Sequence, residues 1–440
     1  MTRDNKNCMK KIILWSVVGV LIVGIAAAAF WWLRRPQVIT LNDGTKLTLL
    51  GVEYGKHHKY PVVKVKTAPQ NARRRFYGGP VSFDTPADTL VAWVLCEHKP
   101  NQWPNYQALA YDKAETACVG NWAGGNSRQI SPTESILGIH LDAFPRREHS
   151  FYLRFMSWGN GGQRVSKEQF VISNPVRGKF FPNWTPEPLP DTQSDGDLDV
   201  TLTKLSYNAS FNRGMGTAKP NDPMNQAVFV AFHTEQNGVV VTNWEPVRIE
   251  TSDATGNDVQ NNSWSTGRDD DGDATMTYQW GLWPDEPAWK LRVEMSQTSG
   301  FSNDELWSVT NVPVQSGSWQ DLWNNGFGNR RTPSAFAETT LNGVHLKIFP
   351  ALQITDQNFG NGQKQGGVRI VANPDLPEGF RLTVKATDEQ GRELQSWGPN
   401  AGGGNYVVQL PDIRNAKTLN FTIALHKSRF VEFTVKPTKQ

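Results

Sequence analysis

The sequence predicts an all-β protein in which three tandem β-sandwiches follow a single N-terminal transmembrane helix. The helix is predicted by Ile12–Leu33, a stretch of 22 residues without a charge. The β fold is predicted by the rest of the chain, where short alternating strands are separated by Gly, Pro, Asn and Asp turns. A set of landmarks that recurs in the same order along this part predicts the three modules.

The apolar stretch Ile12–Leu33 is long enough to cross a bilayer. A helix of this length spans roughly 33 Å, against about 30 Å of hydrocarbon. Trp31 and Trp32 fall where aromatic side chains meet the headgroups, and Arg34 follows directly. The competing interpretation is a signal peptide cleaved near Ala26–Ala29. We expect a retained anchor, because cleavage there would leave an unusually apolar new N-terminus.

Residues 1–11 are predicted to be a short cytoplasmic tail. They carry four basic side chains and one acidic side chain, and cytoplasmic flanks are rich in Lys and Arg. Long domains cross the membrane largely regardless of flanking charge, so the body is predicted to lie outside the cytoplasmic membrane. The lipid bilayer is therefore one predicted partner, through residues 12–33.

Length and charge restrict what the body can be. The chain has 440 residues, so the part after the anchor is expected to form two to four domains of about 100–200 residues each. Charged residues make up 20%, below the usual quarter or so, and Gly and Trp are plentiful, which favours β-sandwiches over helical bundles. A net charge of +3 gives no support to nucleic-acid binding, and none is predicted.

One series of landmarks occurs three times. Each copy has an apolar run, a strand that ends in Asp, a proline followed by another strand, and a last strand. The strand ending in Asp reads WPNYQALAYD from Trp103, WEPVRIETSD from Trp244 and EGFRLTVKATD from Glu378. The last strand reads EQFVISNPV up to Val176, ELWSVTNVPV up to Val314 and RFVEFTVKP up to Pro437. The same landmarks in the same order in three copies indicate an internal repeat.

The repeat predicts the domain organisation. The expected segments are β-sandwich module 1 at 37–178, a Pro-rich linker at 179–194, module 2 at 195–316, a second linker at 317–336 and module 3 at 337–440. A copy of roughly 105–140 residues fits a seven-stranded sandwich of two packed sheets. Trp319 and Trp323 in the second linker are expected to dock it on a neighbouring module.

In the number and order of their strands, the modules resemble immunoglobulin or fibronectin type III sandwiches over nearly all of 37–440. They depart from true immunoglobulin domains, since Cys118 comes soon after the Trp103 strand and not in the late strand near Leu153. The opening ITLNDGTKLTLLGVEYGKHH, just after the apolar stretch, is similar to the start of a group of uncharacterised bacterial exported, membrane-anchored proteins. That resemblance implies no activity.

Cys96 and Cys118 follow the apolar stretch, whereas Cys8 precedes it. An even pair of cysteines in an exported domain predicts one disulfide, Cys96–Cys118. The alternative is a pair of buried thiols.

Two acidic clusters are candidate calcium sites. Asp195, Asp197 and Asp199 stand at alternate positions in SDGDLD, and RDDDGDAT places four more aspartates, Asp269–Asp271 and Asp273, around a glycine. Oxygen ligands at this spacing with a Gly-permitted turn suit calcium. Neither cluster has the Glu six residues after the glycine that completes an EF-hand, and the alternative is a solvated turn. No other cofactor is predicted.

Trp158 in SWGNGGQ and Trp397 in SWGPNAGGG are candidate ligand-binding residues. Each is followed by a Gly- and Asn-rich loop, and such loops at the end of a sandwich often carry binding sites. An exposed indole can stack on a sugar ring. Most other tryptophans fall at repeat positions and are predicted to be core residues.

No catalytic motif of the G-x-S-x-G, H-E-x-x-H or Walker A type is present, and no enzyme is predicted. The Gly-rich loop Phe359–Gly367 leads into a strand, so it offers no helix N-terminus to a phosphate. The sequence therefore predicts a non-catalytic structural or binding protein of the cell envelope, with an envelope protein or a polysaccharide as partner. The alternative is a carbohydrate-binding or carbohydrate-active envelope protein.

Overall fold

The computed structural model describes residues 36–60, 82–100, 106–122, 127–159, 162–207, 227–262, 265–279, 281–324, 334–355, 365–413 and 416–439. In these ranges almost all regular structure is β, arranged in several sheets, which confirms the predicted all-β class. No helix within them is long and apolar enough to span a bilayer. The predicted anchor, Ile12–Leu33, lies outside the described residues.

The chain forms two compact units. Unit 1 is Met1–Pro182 together with Thr255–Asp258, and unit 2 is Asn183–Ala254 together with Val259–Gln440. Each unit has its own sheets and its own buried apolar residues.

Unit 1 contains two antiparallel sheets. Its strands are β1 (Val38–Thr40), β2 (Lys46–Lys59), β3 (Ser82–Glu97), β4 (Tyr106–Tyr111), β5 (Ala117–Trp122), β6 (Ser127–Ser131), β7 (Glu134–Leu141), β8 (Ser150–Gly159), β9 (Gly162–Val165) and β10 (Phe170–Ser173). One sheet has the order β1-β2-β3-β7-β6, and the other has the order β10-β8-β4-β5 with β9 beside β8. The apolar run of β3 is buried at the centre of its sheet, as a strand with neighbours on both sides requires.

Unit 2 contains the remaining strands, a 3-10 turn and a short helix. Before the helix come β11 (Asp191–Asp195), β12 (Leu198–Tyr207), β13 (Ala227–Gln236), β14 (Val239–Val240), β15 (Trp244–Asp253), β16 (Asp258–Asn262, with Asp258 grouped in unit 1), β17 (Ser265–Arg268), β18 (Ala274–Gln279), β19 (Trp289–Gln297), the 3-10 turn Asn303–Glu305 and β20 (Leu306–Gly317). The helix α1 is Trp319–Asn324. After it come β21 (Ala337–Leu341), β22 (Val344–Ile348), β23 (Ala351–Ile354), β24 (Gly366–Asn373), β25 (Phe380–Asp388), β26 (Glu393–Leu394), β27 (Trp397–Gly402), β28 (Asn405–Leu410), β29 (Thr418–Lys427), β30 (Arg429–Val435) and β31 (Thr438–Lys439).

The same strand order occurs three times. The first set of strands has the order β1-β2-β3-β7-β6 in unit 1. The same order recurs in unit 2 as β11-β12-β13-β18-β17, and again as β21-β22-β24-β28-β27. A second antiparallel set is built on the pairs β4·β8, β15·β19 and β25·β29, in which the strand ending in Asp pairs with the strand that follows the proline. In the third copy, β23 and β20 connect the two sets into one ten-stranded sheet. A closing strand lies beside each pair: β10 next to β8, β30 next to β19 and β20 next to β29.

The closing strands of unit 2 do not follow the order of the sequence. The strand predicted to close module 2 (195–316) is β20, yet it pairs with β29. The strand predicted to close module 3 (337–440) is β30, yet it pairs with β19. The hydrogen bonding of unit 2 therefore crosses the predicted boundaries in both directions.

The loop lengths explain this exchange of closing strands. β29 ends at Lys427 and β30 begins at Arg429, so Ser428 alone joins them. A tight β-hairpin needs a loop of about two residues or more. For this reason β30 cannot return alongside β29, and it continues into the sheet of β19. The edge of β29 is then filled by β20.

Unit 2 has two halves, which correspond to the predicted modules 2 (195–316) and 3 (337–440). A buried carboxylate joins them near the point where β20 and β30 cross from one half to the other. Glu294 of β19 is only 2% exposed. Arg381 of β25 donates two hydrogen bonds of 2.6 Å to its two carboxylate oxygens, and Arg248 Nε of β15 lies 3.0 Å from Glu294 Oε2. Burial raises the pKa of Glu294, but the hydrogen bond and charge of Arg381 outweigh it, and the pKa lies below its ordinary value.

We expect the substitution Glu294→Gln to lower the free energy of unfolding by about 3 kcal/mol, because it leaves two guanidinium groups without their shared anion. Urea unfolding followed by tryptophan fluorescence measures this difference. The matched control is Glu338→Gln, which removes an exposed carboxylate 3.1 Å from Lys347 and is expected to change stability by less than about 1 kcal/mol.

The loss of stability caused by Glu294→Gln is expected to depend on pH. A carboxyl group whose pKa is lowered on folding stabilises the protein above its unfolded pKa, and that contribution is lost as the pH falls through the folded pKa. The difference between wild type and Glu294→Gln should be full above about pH 5 and should shrink below about pH 4. Equal effects of the two substitutions at pH 7 would contradict the role given to Glu294.

The predicted disulfide is wrong. Cys96 and Cys118 are buried, and no bond joins their sulfur atoms. Cys96 lies in β3 opposite Leu47 and Ser135, whereas Cys118 lies in β5, which belongs to the other sheet of unit 1. The structure therefore contains the alternative, a pair of buried thiols. Burial raises the pKa of Cys96 to about 12, so its thiol stays protonated and unreactive near neutral pH.

We expect both Cys96 and Cys118 to be alkylated in denaturant without any reductant, because each carries a thiol. Peptide mass spectrometry measures the modified fraction of each residue. A parallel sample treated with reductant should give the same fractions. Alkylation that requires the reductant would show that a disulfide forms in the mature protein.

Candidate functional site

The strongest candidate site in unit 2 lies on the outer face of β24. Alternate residues of this strand, Val368, Ile370 and Ala372, point into the main apolar core of this part of the chain. Because side chains alternate across a strand, Gly367 and Arg369 point to the opposite face. A charged residue on a central strand needs an explanation, since β24 pairs with β22, β23 and β28.

Glycine allows helix α1 to approach that face. A Cβ atom on Gly367 would lie 2.7 Å from Leu322 Cδ2 and 2.9 Å from the carbonyl oxygen of Val408. Leu322 is a buried residue of α1 and occupies the space above Gly367. The helix begins after Ser318, which donates hydrogen bonds from its backbone N–H and its hydroxyl to Asp321 Oδ2. The predicted linker residue Trp319 is thus the first residue of an ordered helix.

Arg369 is buried without a counter-charge. It is 4% exposed, and its Nη2 atom has no hydrogen-bond partner. Its guanidinium carbon lies 3.9 Å from the centre of the Phe349 ring, a cation–π contact that offsets part of the cost of burial. No described carboxylate forms an ion pair with it, and burial lowers the pKa of Arg369 below its ordinary value.

A small cavity opens beside this guanidinium. Its volume is about 30 Å³, roughly the space of two water molecules. Its walls are formed by Arg369, Phe349, Leu322 and Asp321, with further contributions from β20 and β23. We call this cavity the Arg369 pocket. Gln315 and Asp321 are its polar wall residues, and Arg369 is a cationic group without an ion-pair partner among the described residues. A cation beside apolar side chains suits a small anionic group.

A second recess, in unit 1, has a different character. Lys46, Glu97, His98 and Glu134 are among the residues that line it. Its charges have partners: Lys46 Nζ lies 3.3 Å from a Glu97 carboxylate oxygen, and His98 Nε2 is 2.9 Å from the Ser135 hydroxyl. These groups satisfy one another, so the recess offers less to a ligand than the Arg369 pocket does.

The predicted calcium ligands of the first acidic cluster have protein partners. Arg429 Nη2 donates to Asp197 Oδ1 at 3.2 Å, and Arg429 Nη1 lies 3.6 Å from Asp195. Asp195 also accepts the backbone N–H of Phe430. The hydrogen bond from Gln236, together with the charge of Arg429, holds the pKa of Asp197 below its ordinary value. Asp199 instead accepts the hydroxyl of Ser194. A guanidinium therefore stands where the sequence suggested calcium.

The second acidic cluster is arranged in the same way. Lys204 Nζ lies 2.9 Å from Asp269 and 3.3 Å from Asp271, and its hydrogen bond lowers the pKa of Asp269. Asp273 bonds to His233 and to the hydroxyl of Thr203. Across the described ranges, no three His, Cys, Asp or Glu side chains form a group that could hold a metal ion.

The two candidate tryptophans lie in strands. Trp158 is in β8 and pairs with Gln163, and Trp397 is in β27 and pairs with Gln409. The side chains of both lie outside what the structure describes. Their role in ligand binding therefore stays a prediction.

No family model matches the chain, and no curated protein compared with it is a match.

Sequence reasoning missed Arg369, Phe349 and the glycines beneath α1. One signal was available: Arg369 interrupts the apolar run G-V-R-I-V-A, and a charge inside a buried strand normally has a specific role. The glycine pair Gly366–Gly367 was a second signal, because glycine in a strand often marks a close approach of another segment.

We expect Gly367→Ala to lower the free energy of unfolding by about 1–3 kcal/mol, because its new methyl group meets both Leu322 and the rigid carbonyl of Val408. Urea unfolding measures the change. The control is Gly398→Ala, where a Cβ atom meets nothing within 4 Å and the expected change is below about 0.5 kcal/mol. If Gly367→Ala proves as neutral as the control, α1 is not packed on β24 in solution.

Proposed function

We propose that this protein is a non-catalytic binding protein of the cell envelope, held in the membrane by Ile12–Leu33 with its body outside the cytoplasm. The observation that carries the proposal is the Arg369 pocket. A buried guanidinium without a partner is costly to the free protein, and the cost is recovered when a ligand supplies the opposing charge.

The groups around the pocket are suited to holding a ligand. Arg369 supplies charge and directed N–H donors, while Phe349 and Leu322 supply apolar contact. Asp321 is the acidic group in the wall, and its Oδ2 atom already accepts two hydrogen bonds from Ser318. This set of residues orients an anionic group and excludes water from it, which favours binding over covalent chemistry.

The architecture of the body supports the same proposal. We infer three tandem immunoglobulin-like sandwiches, because one strand order recurs in three sheets and each recurrence is accompanied by a second antiparallel set. Such sandwiches are rigid supports for binding sites. The exchange of β20 and β30 supports a stiff connection between the second and third modules, since each module completes the sheet of the other.

The location can be tested with native and introduced cysteines. Phe180 is 92% exposed, so Phe180→Cys places a thiol on the surface of the body. In spheroplasts of a bacterial host that express the full chain, we expect a membrane-impermeant maleimide to label Phe180→Cys. Labelling is measured by a mass shift on a gel.

Wild-type protein is the matched control for this test. Its Cys96 and Cys118 are buried, and its Cys8 lies on the proposed cytoplasmic side, so labelling should appear only after the cells are lysed. Labelling of Phe180→Cys that also requires lysis would place the body in the cytoplasm and overturn the proposal. Loss of Cys8 from the mature protein would show that the N-terminal segment is cleaved.

A further inference from the structure

The chemical class of the ligand follows from the Arg369 pocket, and this inference rests on the binding function proposed above. The first constraint is charge. The pocket presents one guanidinium, with Nη2 unbonded and the whole side chain 4% exposed. Buried charges in proteins are paired, so the missing partner is an anion that comes from outside the described chain.

The second constraint is the number of charges. Asp321 also lines the pocket, and its carboxylate is held in place by the N–H and hydroxyl of Ser318. A ligand group with two negative charges would meet this carboxylate as well as Arg369. The Asp321 carboxylate forms no ion pair with Arg369, but it repels added negative charge, so the pocket favours a ligand group with one negative charge over one with two.

The third constraint is size and shape. The cavity is small, about 30 Å³, which suits a compact group such as a carboxylate. Phosphate and sulfate groups carry four oxygens in a tetrahedral arrangement, and a sugar ring is larger still. A planar carboxylate also suits the planar fork of an arginine, which binds it through two parallel hydrogen bonds.

The fourth constraint is the apolar wall. Phe349 stacks on the guanidinium, and Leu322, Pro350 and Leu352 form the rest of the apolar wall, beside the polar side chains of Gln315 and Asp321. Low polarity strengthens an arginine–carboxylate pair inside the pocket, and it leaves room for carbon atoms next to the carboxylate. A hydrated inorganic ion would gain nothing from these contacts.

We propose that the Arg369 pocket binds the carboxylate group of an organic monoanion, with the guanidinium of Arg369 as its charged partner. The Phe349 ring stacks on the guanidinium and fixes its orientation, and α1 covers the pocket with Asp321 and Leu322. The absence of side chains at Gly366 and Gly367 allows Leu352 of β23 and Leu322 of α1 to lie close to β24.

The test uses the purified full chain in detergent micelles, with sodium acetate as the probe. Saturation-transfer NMR detects the acetate methyl group, and the unfolding midpoint Tm is measured in acetate, chloride and phosphate at equal ionic strength. We expect acetate to give a transfer signal and to raise Tm in a saturable way. Chloride and phosphate should raise Tm less than acetate does.

Two substitutions of Arg369 separate binding from structure. Arg369→Met should abolish the acetate signal and raise the Tm of the ligand-free protein, because it removes an uncompensated buried charge while keeping apolar volume. Arg369→Lys keeps the charge but loses the planar fork, so acetate affinity should fall at least about tenfold. The control Arg177→Met removes an exposed arginine and should leave both readings unchanged.

Three outcomes would overturn the inference. They are a lower Tm in Arg369→Met with an unchanged acetate signal, equal responses to acetate and phosphate in wild type, and no acetate response in wild type. Arg369→Lys keeps the test valid if Arg369→Met fails to fold. None of these outcomes depends on the location of the body. A cytoplasmic body in the cysteine-labelling test would instead overturn the proposed function and leave the acetate result intact.

Discussion

The single residue between β29 and β30 determines how unit 2 is built. Because Ser428 alone cannot reverse the chain, β30 passes into the sheet of β19, and β20 takes the vacant edge of β29. Each closing strand therefore completes a sheet formed mainly by a different part of the chain. The two halves of unit 2 are bound by backbone hydrogen bonds in both directions, which is a stronger connection than a flexible linker provides.

The charged residues of unit 2 gather around that crossing. Glu294 binds arginines of both halves, and Arg429, the first residue of β30, is held by the aspartates of the β11–β12 turn. Phe430 follows it and lies 4.4 Å below the guanidinium of Arg292. The acidic turn that suggested calcium therefore has a structural role, since it fixes the point at which the chain enters the second sheet. The aspartates that suggested calcium pair with a side chain that lies 232 residues away from Asp197 in the sequence.

Helix α1 depends on the same connection. It follows β20 directly, and β20 reaches β29 and β23 only because the closing strands are exchanged. The helix then covers β24 above Gly367 and encloses Arg369. An arginine kept inside an apolar enclosure lowers the stability of the free protein, and sites that bind ligands commonly carry such a cost. The pocket is thus a consequence of the topology combined with one charged residue in a buried strand.

The sequence by itself determined the all-β class and the recurring order of the landmark strands, among them β4, β15 and β25, because alternation, turn residues and repeated landmarks are local signals. It did not specify which strands pair with one another. It predicted that Trp319 and Trp323 would dock the second linker on a neighbouring module, whereas the residue that contacts β24 is Leu322 of a helix that the sequence did not predict. Only the tertiary structure decided which sheet β20 and β30 complete, since both strands alternate in the same way and either edge would accept either strand. The tertiary structure also decided that no bond joins Cys96 and Cys118, that Arg429 pairs with Asp195 and Asp197, and that Arg369 has no ion-pair partner among the described residues. These outcomes depend on contacts between residues far apart in the chain, and no local pattern specifies them.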